Sequence, residues 1–141
     1  MIRFVLAILV YIVATFATQA VSHFTINAAH YAELPHLRAE PIFSLGFLSM
    51  LIQGTALAFL HANSEWARRS LLNSVLFAWI GGSLIVSYIA FAEAAKYSIP
   101  SIPAWVWVEI SAGFVQFTLY GVALGLIRRK VDLTQVDGRG A

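Results

Sequence analysis

One carboxylate stands alone inside an apolar stretch in the second half of the chain. Glu109 shares a helical spacing of three to four residues with Trp105, Gly113, Gln116 and Tyr120, so an α-helix would carry all five on one face. A carboxyl group in apolar surroundings is costly unless a proton, a cation or hydrogen-bond donors stabilise it. Glu109 is therefore a candidate for binding a proton, a cation or a small ligand, and a structural ion pair or hydrogen bond is the alternative.

A second polar face lies in the first apolar stretch. Thr15, Gln19, His23, Asn27 and His30 recur at spacings of four, four, four and three residues, which places them on one side of a continuous helix. Imidazole titrates near neutral pH, so a histidine facing the protein interior can exchange protons with a carboxylate. We expect this face to meet Glu109, with His23, His30, Gln19 or Lys96 as its partner.

Other polar residues sort by depth along the apolar stretches. Those near the middle predict a layer of hydrogen bonds between helices, each contributing about 0.6 kcal/mol; they are Gln19, Gln53, Ser83 and Gln116. Glu93 precedes Lys96 by three residues, the spacing of a helical ion pair. The complete set of candidate proton- or ligand-binding residues is Glu109, His23, His30, Asn27, Gln19, Gln53, Gln116 and Glu93.

The histidine spacing does not favour a metal site. His23 and His30 are seven residues apart, about 10.5 Å along a helix, which is too far for two nitrogens that each lie about 2 Å from one ion. A site would need one of them with His36, Glu93 or Glu109, so we predict no metal and no cofactor. We also predict no catalytic residue, because the chain has no cysteine, GxSxG, HExxH or phosphate-binding glycine loop. A lone His–Glu acid–base pair leaves no such signature.

Four apolar helices must position these residues. Of the 141 residues, 60% are hydrophobic and only 11% are charged, whereas a soluble domain carries about 25% charged residues. Each predicted helix is long enough to cross a hydrocarbon core of about 30 Å. We predict an all-α polytopic integral membrane protein, an antiparallel bundle of four transmembrane helices without an internal repeat. A Gly121-x-x-x-Gly125 pattern predicts close helix packing, within the bundle or with a partner. The predicted spans are residues 4–31, 42–62, 70–94 and 103–127 of a single domain over 1–130, and residues 131–141 form a polar tail.

Basic residues favour one side of these four spans. Only Arg38 and Lys96 fall on the second side, and an excess of Lys and Arg marks the cytoplasmic side. We therefore predict a bacterial inner-membrane protein with both termini cytoplasmic and Glu109 in the outer half. Basic residues at helix ends, rather than along one face, do not predict nucleic-acid binding. The cytoplasmic set is Arg3, Arg68, Arg69, Arg128, Arg129, Lys130 and Arg139.

The N-terminal stretch has a second interpretation. Arg3, an apolar run over residues 4–17 and then Thr18, Gln19 and Ala20 also fit a cleavable signal peptide. Cleavage would leave three spans in the same orientation. We favour retention, because the polar face of the first helix continues across the cleavage position.

Three short segments carry a resemblance. They are Gln19-Ala20-Val21-Ser22 with Tyr31, Leu34 and Leu37 after it, residues 91–98, and Val108-Glu109 followed by Gly113. Their order is similar to that in a group of small predicted four-helix bacterial inner-membrane proteins of unknown function. That group has an acidic residue in place of Gln19, and an aspartate followed by tryptophan-glycine in place of Glu109, Ala112 and Gly113. The resemblance implies the four-span fold and the interest of Glu109, but no activity.

The sequence supports three hypotheses on function. The first is a non-catalytic accessory or interaction subunit of a larger membrane assembly, whose partners are the lipid bilayer and another membrane protein or a second copy. The second is a proton-, cation- or small-ligand-binding or transport protein that uses Glu109 and the face of His23 and His30. The third is a membrane-embedded enzyme acting on a lipid-like substrate with His and Glu as acid and base.

Overall fold

The computed structural model describes residues 1–35, 37–38 and 40–137, with side chains up to residue 127. Every regular element in this part of the chain is helical, and His36 and Arg139 lie outside it. Four helices are long and apolar enough to cross a membrane, at Ile2–Ile26, Phe43–Asn63, Leu71–Glu93 and Ile102–Ile127. The elements are α1 (Ile2–Val21), a π-helical segment (Ser22–Ile26), α2 (Ala28–Ala32), α3 (Phe43–Asn63), α4 (Glu65–Arg68), α5 (Leu71–Ser87), a second π-helical segment (Tyr88–Glu93) and α6 (Ile102–Asp137).

The first apolar stretch is not one continuous α-helix. After Val21 the backbone widens into π geometry. The backbone N–H of Asn27 donates to the backbone carbonyl of Ser22, five residues earlier, at 2.9 Å. Asn27 itself leaves helical geometry, with φ −111° and ψ 19°. The helix predicted to residue 31 therefore extends to Ile26 through π geometry, is interrupted at Asn27 and resumes as α2. A π turn holds one additional residue, so the side chains that follow are rotated by about 100°.

The other helix boundaries follow from the sequence. Ser70 precedes α5 and accepts a hydrogen bond from the Asn73 amide at 3.0 Å, the usual role of an N-terminal serine cap. Pro103 lies in the first turn of α6, where proline loses no hydrogen bond. The backbone of α6 continues to Asp137, so residues 131–137 of the predicted polar tail extend the helix.

The core lies between α1, α3, α5 and α6. α6 packs along α5 and against α1, and α1 also packs against α3. The contact between α3 and α5 is much smaller. The rings of Tyr11 and Tyr120 meet edge to face at 5.0 Å, and Tyr11 also lies beside Phe117. Leu57 of α3 and Ala78 of α5 complete this buried cluster.

Glycines allow α6 to approach α5 closely. A Cβ atom at Gly121 would lie 2.6 Å from the Cα of Val75 and 3.0 Å from the Cβ of Ala78. A Cβ atom at Gly125 would lie 3.1 Å from the Cα of Leu71. The Gly121-x-x-x-Gly125 pattern therefore packs against a helix of the same chain, as small residues do at membrane-helix interfaces.

Gly121→Ala tests this contact. The added methyl group meets the backbone of α5, which cannot move aside as a flexible side chain can, so we expect a loss of about 1–3 kcal/mol in unfolding free energy. Gly46→Ala is the matched control, because a Cβ atom there meets nothing within 4 Å and alanine is the better helix former by about 1 kcal/mol. Unfolding of both variants in bicelles is the measurement, and equal stabilities would contradict the proposed packing.

Candidate functional site

Glu109 is buried and hydrogen-bonded to a tyrosine. Its side chain is 6% exposed, and the hydroxyl of Tyr31 donates to its Oε1 atom at 2.7 Å. A hydrogen bond from a phenol to a carboxylate is short and strong when both are shielded from water. The sequence analysis named Lys96, His23, His30 and Gln19 as partners, so it missed the residue that makes this bond.

The first π-helical segment explains why Tyr31 reaches Glu109. On a continuous α-helix Tyr31 would lie about 120° around the axis from Gln19. The additional residue in the π turn cancels most of that angle, and Tyr31 returns to the side of α1 that faces α6. Nothing in the residue pattern signals a π turn, so the sequence could not place Tyr31 here.

His23 supports Tyr31 from one face. The two rings stack in parallel, with centroids 3.6 Å apart and planes 12° apart. Tyr31 lies beyond the first candidate span, Ile2–Ile26. Burial raises the pKa of its phenol above the usual range, and the negative charge of Glu109 raises it further. The phenol therefore stays protonated at neutral pH and is available as the donor to Glu109.

Glu109 and His23 line a cavity of about 380 Å³. Its walls are largely apolar, and residues of all four long helices contribute to them. Among the described residues that line it, Glu109 is the only acidic one, and none is lysine or arginine. The remaining polar groups are neutral hydroxyls and amides, apart from the imidazole of His23. They belong to Thr15, Gln19, Ser49, Gln53 and Gln116.

The predicted layer of interhelical hydrogen bonds is present for three of its four members. Gln19 Nε2 donates to Gln116 Oε1 at 3.0 Å, joining α1 to α6. Gln53 accepts a hydrogen bond from the hydroxyl of Tyr11 at 2.6 Å, joining α3 to α1. Ser83 does not take part, because its hydroxyl donates to the Ile80 carbonyl of its own helix at 2.8 Å. Gln19, Gln53 and Gln116 also line the cavity.

Three of the candidate residues do not line the cavity with Glu109. Asn27 donates to the Ser22 hydroxyl at 3.0 Å and so spans the π-helical segment. His30 lies beside Tyr31 and Trp105, and its Nε2 atom is buried without a hydrogen-bond partner. Glu93 ends the second π-helical segment. The expectation that His30 shares the face of Gln19 is wrong, because the π turn rotates the residues that follow it.

Lys96 is not the partner of Glu109. Its Nζ atom donates to the hydroxyl of Tyr88 at 2.7 Å and lies 4.5 Å from the centre of that ring. The hydrogen bond to Tyr88 raises the pKa of Lys96, and the charge of Glu93 adds to this effect. Lys96 therefore remains a cation, exposed just beyond the second π-helical segment.

The described residues do not cluster as metal ligands. No group of three or more His, Cys, Asp or Glu side chains in the described part of the chain could hold an ion. Comparisons with protein-family models, curated proteins and solved structures return no match.

The hydrogen bond between Gln19 and Gln116 can be measured with a double-mutant cycle. We expect Gln19→Leu and Gln116→Leu to be coupled by about 0.6 kcal/mol, the average for such bonds inside membranes. Reversible unfolding of the two single variants and the double variant gives the coupling energy. Strictly additive effects would contradict a direct bond.

Tyr31→Phe removes the donor to Glu109 and leaves its stacking with His23 in place. We expect a loss of about 1–3 kcal/mol in unfolding free energy, because a buried acceptor loses its partner. The same substitution in a Glu109→Leu background should cost markedly less, since no carboxyl group is left unsatisfied. If Tyr31→Phe costs the same in both backgrounds, the bond does not contribute to stability.

Proposed function

We propose that the chain is an integral membrane protein whose four long helices form an antiparallel bundle in the bacterial inner membrane. Support comes from the four apolar helices and from the large apolar side chains exposed on each of them. The distribution of lysine and arginine supports cytoplasmic termini. Retention of α1 is supported by Tyr11, which is fully buried against α6. Glu109 would then lie in the outer half of the membrane.

Within that frame, the proposed function is the binding or transport of a small cation or a ligand with a cationic group. One observation carries it: Glu109 is the only acidic residue lining the cavity, and no lysine or arginine there neutralises it. A carboxylate in apolar surroundings needs a compensating charge or a proton. Tyr31 supplies one hydrogen bond but no charge, so a bound cation or a proton would complete the site.

The cavity wall adds a preference for organic cations over inorganic ones. Phe16, Phe43, Phe47 and Phe117 line it together with His23. Aromatic faces attract cations, and the attraction grows where water is excluded. An inorganic ion would also require several oxygen ligands, whereas the cavity offers one carboxylate and scattered amides.

The other two hypotheses gain less from the structure. The accessory-subunit hypothesis stays a prediction. The enzyme hypothesis requires an outward-opening cavity lined by both His23 and Glu109, and both residues line the cavity. However, His23 lies flat against Tyr31 and Tyr31 holds Glu109. This arrangement supports binding better than proton transfer between His23 and Glu109.

Two probes of nearly equal shape and opposite charge test the proposal. Tetraphenylphosphonium should bind the protein in nanodiscs at least about tenfold more tightly than tetraphenylborate, relative to empty nanodiscs. Glu109→Gln should remove this preference, because the amide keeps the acceptor for Tyr31 but not the charge. Equilibrium dialysis with both probes is the measurement.

Glu93→Gln is the matched control. It removes the same charge from a residue that does not line the cavity, so the preference for tetraphenylphosphonium should persist. Equal binding of the two probes by the unmodified protein, or an equal loss in both variants, would overturn the proposed role of Glu109.

A further inference from the structure

The N-terminal half of α3 is only loosely packed: the ring of Phe47 stacks on that of Phe16 in α1, with centroids 5.4 Å apart, and its side toward α5 is open. Every residue from 41 to 49 is exposed, whereas α3 buries Met50, Gly54 and Leu57 further along. A Cβ atom at Gly46 would meet nothing within 4 Å. This N-terminal half of α3 is apolar although it is exposed. Phe43, Leu45, Phe47 and Leu48 are each about half exposed.

Short sequence matches allow the two halves of the chain to be compared. The two π-helical segments begin at Ser22 and Tyr88, 66 residues apart, and a few short segments match at an offset of 66 or 67 residues. On this offset, the hairpin of α1 with α3 aligns with the hairpin of α5 with α6. The matching segments are Ala28-Ala29-His30-Tyr31 with Ala94-Ala95-Lys96-Tyr97, Gly46-Phe47 with Gly113-Phe114, and Gly54-Thr55-Ala56-Leu57 with Gly121-Val122-Ala123-Leu124.

The two aligned hairpins differ in how the N-terminal half of their second helix is packed. In α6, the half that corresponds to residues 41–49 of α3 is packed: Glu109, Gly113 and Gln116 are buried. Gly113 lies directly against Val86 of α5, while its counterpart Gly46 faces open space. Across the hairpins, α6 packs on α1, whereas α3 meets α5 in its C-terminal half, where His61 lies 3.2 Å from the hydroxyl of Ser74.

The cavity lies between the N-terminal half of α3 and α5. Phe43, Gly46 and Phe47 of α3 line one side, and Ile85 and Val86 of α5 line another. Glu109 and Gln116, both of α6, also line the cavity. In a membrane, exposed apolar residues at such a gap would face lipid chains, so the cavity would open sideways into the bilayer.

We propose that the gap between the N-terminal half of α3 and α5 admits a single-chain amphiphilic cation from the bilayer. Its positive head lies at Glu109 and its alkyl chain lies between the apolar side chains of α3 and α5. The inference rests on the proposed function and names its ligand class. Charge complementarity favours a cationic head group on the ligand. Among the described residues that line the cavity, Glu109 is the only aspartate, glutamate, lysine or arginine. The apolar gap, which would face lipid, favours an alkyl chain on the same ligand.

Photolabelling tests the chain position. A dodecyltrimethylammonium probe with a diazirine in the middle of its chain should label residues 43–50 and 85–89 of the protein in nanodiscs. Excess tetraphenylphosphonium and Glu109→Gln should each reduce this labelling at least about tenfold. A dodecyl sulfate probe with the same diazirine should label lipid-facing residues of all four helices without this preference.

Gly46→Phe should block the gap, because a side chain there enters open space beside the cavity and need not disturb packing. We expect it to abolish labelling of residues 85–89. Leu48→Phe is the matched control on the same helix, at an exposed position that does not line the cavity, and it should leave labelling unchanged.

The outcomes separate the two proposals. If tetraphenylphosphonium binds through Glu109 but the dodecyl probe labels α3 and α5 no more than other lipid-facing helices, the lateral entrance is wrong and the proposed function stands. Labelling of the gap that ignores Glu109→Gln overturns the placement of the cationic head. If neither cation binds, both proposals fail.

Discussion

The burial of one carboxyl group governs the structure around it. Glu109 lies among apolar helices, and a carboxyl group in such surroundings must find donors or compensating charge. Tyr31 provides the donor, and it does so only because the first π-helical segment turns it toward α6. The second π-helical segment lies nearby, where Trp105 donates its indole N–H to the carbonyl of Ile89 at 3.1 Å. Departures from α geometry of this kind often occur at functional sites.

The polar residues deeper in the bundle have a different role. Gln19 and Gln116 bond to each other, and Tyr11 bonds to Gln53. Their hydrogen-bonding capacity is partly used within the protein, and the bonds fix α1 relative to α6 and α3. Glu109 differs from them because a hydrogen bond alone leaves its charge uncompensated. Polar groups that bond to other helices and the carboxyl group of Glu109 thus line the same cavity.

Sequence patterns predicted the helices well and the site only in part. Composition and length located three of the four apolar helices to within one or two residues, because an apolar run bounded by Pro41, Ser70 or Pro103 leaves few alternatives. Depth along the helices also placed Gln19, Gln53 and Gln116 in one layer of hydrogen bonds, as the structure has them. Helical periodicity failed at Tyr31 and His30, since it assumes 3.6 residues per turn and a π turn breaks that assumption.

The conformation of the exposed half of α3 depends on the medium that surrounds it. Residues 41–49 are all exposed, and although Phe47 stacks on Phe16 of α1, the local stability of this half-helix depends strongly on the medium around it. In a bilayer, lateral pressure and acyl-chain order would set the angle of this half-helix. A detergent micelle, which has neither, would set another angle. For a protein inserted in a membrane, the shape of this cavity would therefore depend on the surrounding lipid, and membrane thickness or fluidity would alter any binding within it.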